Sequence, residues 1–198
     1  MKVLYFLLLS LISLNTWGEP YSRVISTKQF RYIQLLLKNR YCSNLINYMI
    51  VSRDYESFLE IGVSEGTGLC SVTAKHKVAT LTPDEFFKTN KEKFDIIFIH
   101  SLPLYEQVLK DLVNSLNCLN PDGIIVIHNC LPMLERWNSD VWRASAHIQV
   151  SFPNIHFCVL DIDGGCGLME PDTAQSLYPP IPLERNIVKL EDWIHTFQ

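Results

Sequence analysis

The sequence lacks the features that mark several large classes of protein. No run of Lys or Arg residues occurs, and the formal net charge is -4, which argues against nucleic acid as a partner because such binding needs clustered positive charge. No internal repeat or low-complexity segment is present. Charged residues make up only 19% of the 198 residues and hydrophobic ones 47%, a balance typical of a globular domain.

An apolar run long enough to span a bilayer, which takes about twenty residues, is also absent from the sequence. The N-terminal run from Val3 to Leu14 is shorter; it follows Met1-Lys2 and precedes a small residue and Pro20. This pattern is typical of a secretory signal peptide; an uncleaved anchor and a buried N-terminal helix are the alternatives. We expect residues 1–18 to be a signal peptide that is the chain's sole membrane contact, and residues 19–198 to form one exported domain, periplasmic or extracellular.

Several short motifs are missing as well. None of the six cysteines forms a Cys-x-x-Cys pair, so a structural zinc site is not predicted. Neither a Gly-x-x-x-x-Gly-Lys phosphate loop nor a Gly-x-Gly-x-x-Gly dinucleotide turn occurs. An even number of cysteines permits disulfides in an exported chain, although the sequence alone does not choose a pairing. Cys118 and Cys158 lie in apolar patterns, which favours plain core positions.

Two apolar runs and the segment between them organise the chain. The runs are Phe94–His100 and Gly123–Asn129, and they indicate strands buried on both faces because their apolar residues are nearly continuous. In the intervening segment apolar residues recur at steps of three and four, as in a helix with one face on a core. These residues are Val108, Leu109, Leu112, Val113, Leu116 and Leu119.

This strand–helix–strand order is typical of a right-handed crossover unit in a parallel sheet. Ser101 is predicted to cap the helix and Asn120–Gly123 to end it. Ligands of such sheets bind beyond the carboxyl ends of the strands, where this sequence places His100-Ser101 and His128-Asn129. Each of the two His residues is either a general base that titrates near neutral pH or a hydrogen-bonded residue at a strand end.

A glycine-rich turn follows an earlier predicted strand, Ser57–Val63. The turn Ser64–Gly68 precedes a short helix, and such turns let the backbone approach a ligand while the helix start offers free amide hydrogens. Glu60, near the strand end, can accept hydrogen bonds from a ligand or fix the loop. The alternative is a tight turn that binds nothing.

The next part of the chain is short. Only about 25 residues separate Gly68 from Phe94, about half of what a full doubly wound sheet needs there. Lys77–Thr82 is predicted as one short strand and Pro83–Phe87 as one short helix capped by Thr82. Elsewhere, helices are predicted over residues 26–55, around 140–144 and over 190–197, and a hairpin over residues 154–169.

The order of these elements and their local sequences resemble those of the class I S-adenosylmethionine-dependent methyltransferases, in particular a compact bacterial branch of that family. Leu59–Val63 followed by Gly66 resembles the first motif of that family. Further similar segments are Asp84–Phe87, Phe94–Ile99, Tyr105–Leu112, Leu119–Gly123, His128–Pro132, Asp140–Ala144 and Asp163–Gly167. The resemblance covers roughly residues 47–197. It implies an α/β fold with a Rossmann-like, doubly wound, mostly parallel sheet, reduced by about one strand–helix unit after the first strand.

The resemblance also implies a function, which is transfer of a methyl group from S-adenosylmethionine to an oxygen or nitrogen of a small molecule. The expected cofactor-binding residues are Glu60, Gly62, Val63, Gly66, His100 and Ser101, and the candidate catalytic residues are His100 and His128. Metal-dependent relatives can hold a cation with acids where this chain has His100 and Asn129, so no metal is expected. The shortened region would also remove the second strand, whose acid holds the cofactor ribose in the family.

Two alternatives stand beside this interpretation. The first is an exported binding or interaction protein with the same fold but no catalysis. It is supported by the missing acids and by the export signal, since the cofactor is made in the cytosol.

The second alternative takes Gly62–Gly66 as the Gly-x-Ser-x-Gly elbow of an α/β-hydrolase, with Ser64 as nucleophile and Asp163 and His195 as its partners. Only helices precede Ser64 and no His-Gly-Gly stretch exists, which argues against the hydrolase.

Overall fold

A computed structural model describes residues 27–62, 67–131, 140–151, 155–171 and 187–188 of the chain. The helices are α1 (Thr27–Lys38), α2 (Cys42–Arg53), α3 (Thr67–Ser71), α4 (Pro83–Thr89), α5 (Tyr105–Asn117) and α6 (Val141–Ser151). The strands are β1 (Ser57–Ile61), β2 (His76–Thr80), β3 (Phe94–Ile99), β4 (Leu119–Ile127), β5 (Ile155–Leu160), β6 (Cys166–Pro171) and β7 (Ile187–Val188). The predicted signal peptide and C-terminal helix lie outside the described residues.

The strands form one sheet in the order β2-β1-β3-β4-β6-β5-β7. The pairs among β2, β1, β3 and β4 are parallel, whereas β6 runs antiparallel to both β4 and β5, and β7 is parallel to β5. The predicted doubly wound, mostly parallel sheet is confirmed. Within the described residues only β2 lies outside β1, which agrees with the predicted loss of one strand–helix unit.

The central strands are buried on both faces, as their continuous apolar sequences predicted. Side chains alternate between the two faces of a strand, and each face has its own core. One core contains Phe58, Ile96, Phe98, Ile124 and Val126 with residues of α1 and α2, and the other contains Leu59, Ile61, Ile97, Ile99, Ile125 and Ile127 with residues of α5 and α6. The sheet is therefore a middle layer between helices.

The boundary between α5 and β4 differs from the prediction. The helix ends at Asn117, and Asn120–Gly123 belong to β4 instead of ending the helix. The reason is the pairing of Phe94 with Leu119, after which the register shifts before Ile96 pairs with Ile124. Ser101 does not cap the helix either, because Leu104 occupies that position without a side-chain hydrogen bond.

The side chain of Asp95 ties three strands together at the amino-terminal edge of the sheet. One carboxylate oxygen accepts hydrogen bonds from the amides of Glu56 and Ser57, both at 2.9 Å, and from Ser57 Oγ at 2.8 Å. The other oxygen accepts one from Asn120 Nδ2 at 2.6 Å. Burial alone would raise the pKa of Asp95, but these hydrogen bonds outweigh it and lower the pKa.

All six cysteines are free thiols in the structure, and Cys118 and Cys158 are buried as predicted. A search of the described residues finds no helix that is long and apolar enough to cross a membrane.

We expect the substitution Asp95→Ala to lower the free energy of unfolding by about 2–3 kcal/mol at neutral pH, since it removes several hydrogen bonds to a charged group. Because the folded pKa of Asp95 lies below 3.8, its contribution is present above that pH and is lost as the pH falls through the folded pKa. Urea unfolding at pH 7 and pH 3 measures both effects. The control Asp122→Ala removes an exposed carboxylate and should change the free energy by less than about 0.5 kcal/mol; equal losses in the two variants would contradict the role of Asp95.

Candidate functional site

A cleft of about 660 Å³ opens at the carboxyl ends of β2, β1, β3 and β4. Its size lies within the range usual for small-molecule sites. Its walls come from Gly62 after β1, Leu81–Glu85 after β2, His100–Pro103 after β3, Gln107 on α5 and Asn129 after β4. The cleft is thus at the place where ligands bind in open parallel sheets.

Gly62 brings the end of β1 against the end of β3. Its φ angle is +76°, and a Cβ atom there would lie 2.5 Å from the carbonyl oxygen of His100 and from the Cα atom of Ser101. The Gly62 amide donates a hydrogen bond to the carbonyl of Thr80 at 2.9 Å. Any side chain at this position would force the two strand ends apart, so the close approach of β1 and β3 beside the cleft requires glycine.

Buried polar atoms lie behind the cleft wall formed by Ser101 and Gln107. Gln107 Nε2 donates a hydrogen bond to Asp111 Oδ1 at 2.8 Å, and Asp111 is fully buried. Burial raises the pKa of Asp111, and the adjacent Ser101 and Gln107 side chains oppose part of that rise. The hydroxyl of Ser101 is itself buried beside this carboxylate.

Glu60 lies beneath the cleft and is not among the residues that line it. It pairs with Ala79 of β2 and Phe98 of β3 and is fully buried. Burial raises its pKa, while the Leu69 amide acts in the opposite direction. Apart from the Leu69 amide, no donor within the described ranges approaches either carboxylate oxygen. A buried carboxyl of this kind needs donors from the adjacent loop or from a ligand.

The structure brings Gly62, His100 and Ser101 of the predicted cofactor residues together in the cleft. Val63 and Gly66 lie outside the described residues, as do Ser64 and His195 of the hydrolase alternative. The third hydrolase residue, Asp163, contacts His128 and the Cys42 amide.

His100 and His128 pack against each other at the ends of β3 and β4. Their ring centroids are 4.4 Å apart and the rings are inclined at 71°. Only His100 lines the cleft; His128 lies behind it, with its Nε2 atom 3.7 Å from Asp163 Oδ1. Burial, and next the neighbouring His128, lower the pKa of His100 to about 4, against a raising effect of Asp163. His100 is therefore neutral at physiological pH.

The sequence analysis did not assign Asp84, Glu85 or Gln107 to the site. Asp84 and Glu85 stand in the first turn of α4, directly after β2, and they give the cleft two carboxylates. Lys110 Nζ lies 2.5 Å from Asp84 Oδ2. The signal that could have found them is their place one turn beyond a strand end. Because β2 pairs with β1, these two acids follow the strand next to β1; the loss of a ribose-holding acid stays a prediction.

Comparisons with known proteins address the same part of the chain. Residues 71–130 match a family model described as a methyltransferase domain, and this segment contains β2, β3, α5 and β4. A comparison with curated proteins finds no match.

Two solved structures have a similar fold. An O-methyltransferase from Bacillus cereus in complex with SAH is 11% identical, with a TM-score of 0.52 over 76% of this chain and 93% of that one. An SAH-bound methyltransferase from Podospora anserina is 14% identical, with a TM-score of 0.51 over 86% of this chain and 95% of that one. At these identities the similarity concerns the fold.

We expect the stability of the protein to depend on pH through His100. Its folded pKa of about 4 lies below the value of 6.5 for a free side chain, so between these pH values the unfolded state binds more protons. The free energy of unfolding should therefore fall as the pH drops from 6.5 towards 4. We expect a fall of about 1–2 kcal/mol once solvent screening of the partly exposed ring is included.

Urea unfolding of the wild type and of His100→Asn between pH 7 and pH 4.5 measures this dependence, and the variant should lose most of it. Leu102→Ala changes an exposed cleft residue without removing a titratable group and should behave as the wild type. A His100 ring that titrates near pH 6.5 by NMR would contradict the prediction.

Proposed function

We propose that this protein, a class I methyltransferase by its fold and by the family match of residues 71–130, binds S-adenosylmethionine in the cleft and methylates an oxygen or nitrogen of a small molecule. The predicted resemblance to this family is confirmed. The observation that carries the proposal is the position of the cleft, which surrounds Gly62 at the carboxyl end of β1. No finding favours the non-catalytic or hydrolase alternatives.

The residues of the cleft suit the charge of this cofactor. S-adenosylmethionine carries a positive sulfonium and an ammonium group, and the described residues that line the cleft include two carboxylates, Asp84 and Glu85, but no Lys or Arg. Asp84 is already paired with Lys110, so the net negative charge there comes mainly from Glu85. Carboxylates also accept hydrogen bonds from hydroxyl groups such as those of a ribose. These features would favour the cofactor over an anionic ligand.

When bound, the cofactor supplies an electrophilic methyl group. The contribution of the chain is to hold the two reactants, and His100 is the residue best placed to contact the methyl acceptor because it lines the cleft at the end of β3. A neutral imidazole can accept a hydrogen bond from an acceptor hydroxyl. Since a pKa of about 4 makes His100 a weak base, we expect its main effect to be orientation, with the rate arising from alignment of the reactants.

His128 would then act through His100 instead of touching the acceptor. Its ring contacts that of His100 but does not line the cleft. We therefore assign His128 a positioning role, in place of the catalytic role considered from the sequence.

Calorimetric titration of the purified protein with S-adenosylmethionine, and separately with SAH, tests the proposal. We expect dissociation constants in the micromolar range, with the cation bound more tightly than SAH, which lacks the sulfonium charge. The double variant Asp84→Asn/Glu85→Gln should weaken S-adenosylmethionine binding about tenfold, equivalent to about 1.4 kcal/mol, and should reduce its preference over SAH.

The matched control is Glu106→Gln, an exposed acid in the first turn of α5 that does not line the cleft; it should bind as the wild type does. Absence of binding at millimolar concentrations of S-adenosylmethionine and SAH would contradict the proposal.

We also infer from the N-terminal residues that the protein works outside the cytosol. Met1-Lys2 and the apolar run to Leu14 support export. N-terminal sequencing of the protein recovered from its native cell should show a first residue at or near Glu19 and a non-cytosolic fraction. A cytosolic protein that retains Met1 would contradict this inference.

A further inference from the structure

Three side chains of different metal-binding types, Cys42, His128 and Asp163, lie close together. Cys42 is the first residue of α2, His128 follows β4, and Asp163 lies in the turn between β5 and β6. One donor atom from each of the three lies within 4.8 Å of the others. None of them lines the cleft, so the cluster is separate from the proposed methyl-transfer site.

The spacing of these donors suits a small tetrahedral cation. With metal–ligand distances of about 2.0–2.3 Å, neighbouring donors in a tetrahedral zinc site lie about 3.3–3.8 Å apart. His128 Nε2 and Asp163 Oδ1 are already 3.7 Å apart. The thiol would need to approach by no more than about 1 Å to complete this geometry.

The three donors leave the fourth position of a tetrahedral ion to water. The Cys42 thiol is buried, so it is shielded from bulk solvent. One sulfur, one imidazole nitrogen and one carboxylate oxygen form a ligand set that suits Zn²⁺ better than hard cations such as Mg²⁺.

The backbone holds the carboxylate in place. Asp163 Oδ2 accepts a hydrogen bond from the Cys42 amide at 3.0 Å, which leaves Oδ1 facing His128. The turn has positive φ angles at Asp163, Gly164 and Gly165, of 51°, 77° and 97°, and it is joined to the residues after His128 by the Cys130 amide, which donates to the carbonyl of Gly165 at 2.9 Å. The ligands therefore sit on connected backbone.

The imidazole of His128 lacks a hydrogen bond within the described residues. Its Nε2–Asp163 distance of 3.7 Å is too long for one. A cation between Nε2, Oδ1 and the Cys42 thiol would give Nε2 and the carboxylate a common partner. The other ring nitrogen, Nδ1, is buried without a partner within the described residues, and it would stay on the side of the ring away from the ion.

We propose that Cys42, His128 and Asp163 form a zinc site that joins α2 to the ends of β4 and β5. Metal binding would convert the Cys42 thiol to a thiolate and release a proton. By fixing the His128 ring, the site would also set the orientation of His100 at the wall of the cleft. Its ligands come from three segments far apart in the chain, so no spacing motif marks them in the sequence.

The test is a titration of metal-free full-length protein with Co²⁺, a spectroscopic substitute for Zn²⁺. We expect one ion per chain, with a thiolate-to-cobalt charge-transfer band and the visible bands of a tetrahedral ion, and complete displacement by Zn²⁺. Zn²⁺ should also raise the Tm of the wild type by several degrees, since it binds the folded state alone.

Three variants make the test specific. Asp163→Asn keeps an oxygen acceptor for the Cys42 amide and suits the positive φ angle, which Asn tolerates, so it should fold while binding Co²⁺ at least tenfold more weakly and losing the Tm shift. Cys42→Ser should lose the charge-transfer band, because it removes the thiolate of the cluster. The control Cys118→Ser removes a buried thiol from the other core and should bind as the wild type does.

Co²⁺ binding without a thiolate band would overturn the proposal, because it would place the ion at surface groups such as the His76–Glu92 pair. Equal affinity in Asp163→Asn and the wild type would overturn it too. A Cys42 thiol that does not react with a thiol reagent in the denatured, metal-free protein, located by peptide mass spectrometry, would do the same, because an oxidised Cys42 cannot bind the ion. These readouts are independent of cofactor binding, so the two proposals fail or succeed separately.

Discussion

The hydrogen bonds of Asp95 determine the level at which the central strands begin, and the rest of the structure depends on this alignment. One carboxylate holds the start of β1 through Glu56 and Ser57, and holds β4 through Asn120. β1 and β3 have five and six residues, and the register shift between β3 and the nine-residue β4 allows all three strands to end level. The pairs at the far edge, Ile61 with Ile99 and Ile99 with Ile127, show that they do. The cleft exists because these ends meet at one edge.

At that edge the polar residues form two groups, which differ in their position relative to the cleft. Asp84 and Glu85 are in the cleft wall and can reach a ligand. His128 and Asp163 lie behind it, half-buried among elements that meet at the end of β4. His100 stands between the two groups, and its burial against His128 keeps its pKa at about 4. The pKa of His100, in the cleft wall, thus depends partly on His128, which lies behind that wall.

The loss of one strand–helix unit changes which residues border the cleft on the side of β2. With β2 directly beside β1 as the edge strand of the described sheet, the helix that follows it begins at the cleft. Pro83 starts that helix and Asp84 and Glu85 form its first turn. Acidic residues at a helix N-terminus are favoured by the helix dipole, so the same position suits both the helix and a cationic ligand. The shortened connection brings carboxylates to the cleft without a further strand.

The sequence by itself determined the elements whose signals are local. Continuous apolar runs predicted β1, β3 and β4, helical periodicity predicted α1, α2 and α5, and a Gly-Gly-Cys-Gly turn predicted the β5–β6 hairpin, because each pattern reflects how a segment buries its own side chains. Gly62, His100 and Ser101 could be placed at the site for a similar reason: they follow predicted strand ends.

Tertiary structure alone decided features that need partners far away in the chain. The start of β4 at Leu119 follows from its pairing with Phe94, and the role of Asp84 and Glu85 follows from the pairing of β2 with β1. The cluster of Cys42, His128 and Asp163 includes a hydrogen bond across 121 positions, and no spacing motif marks it. Such contacts depend on closing long loops, whose outcome is fixed by the packing of the whole domain and not by any local sequence pattern.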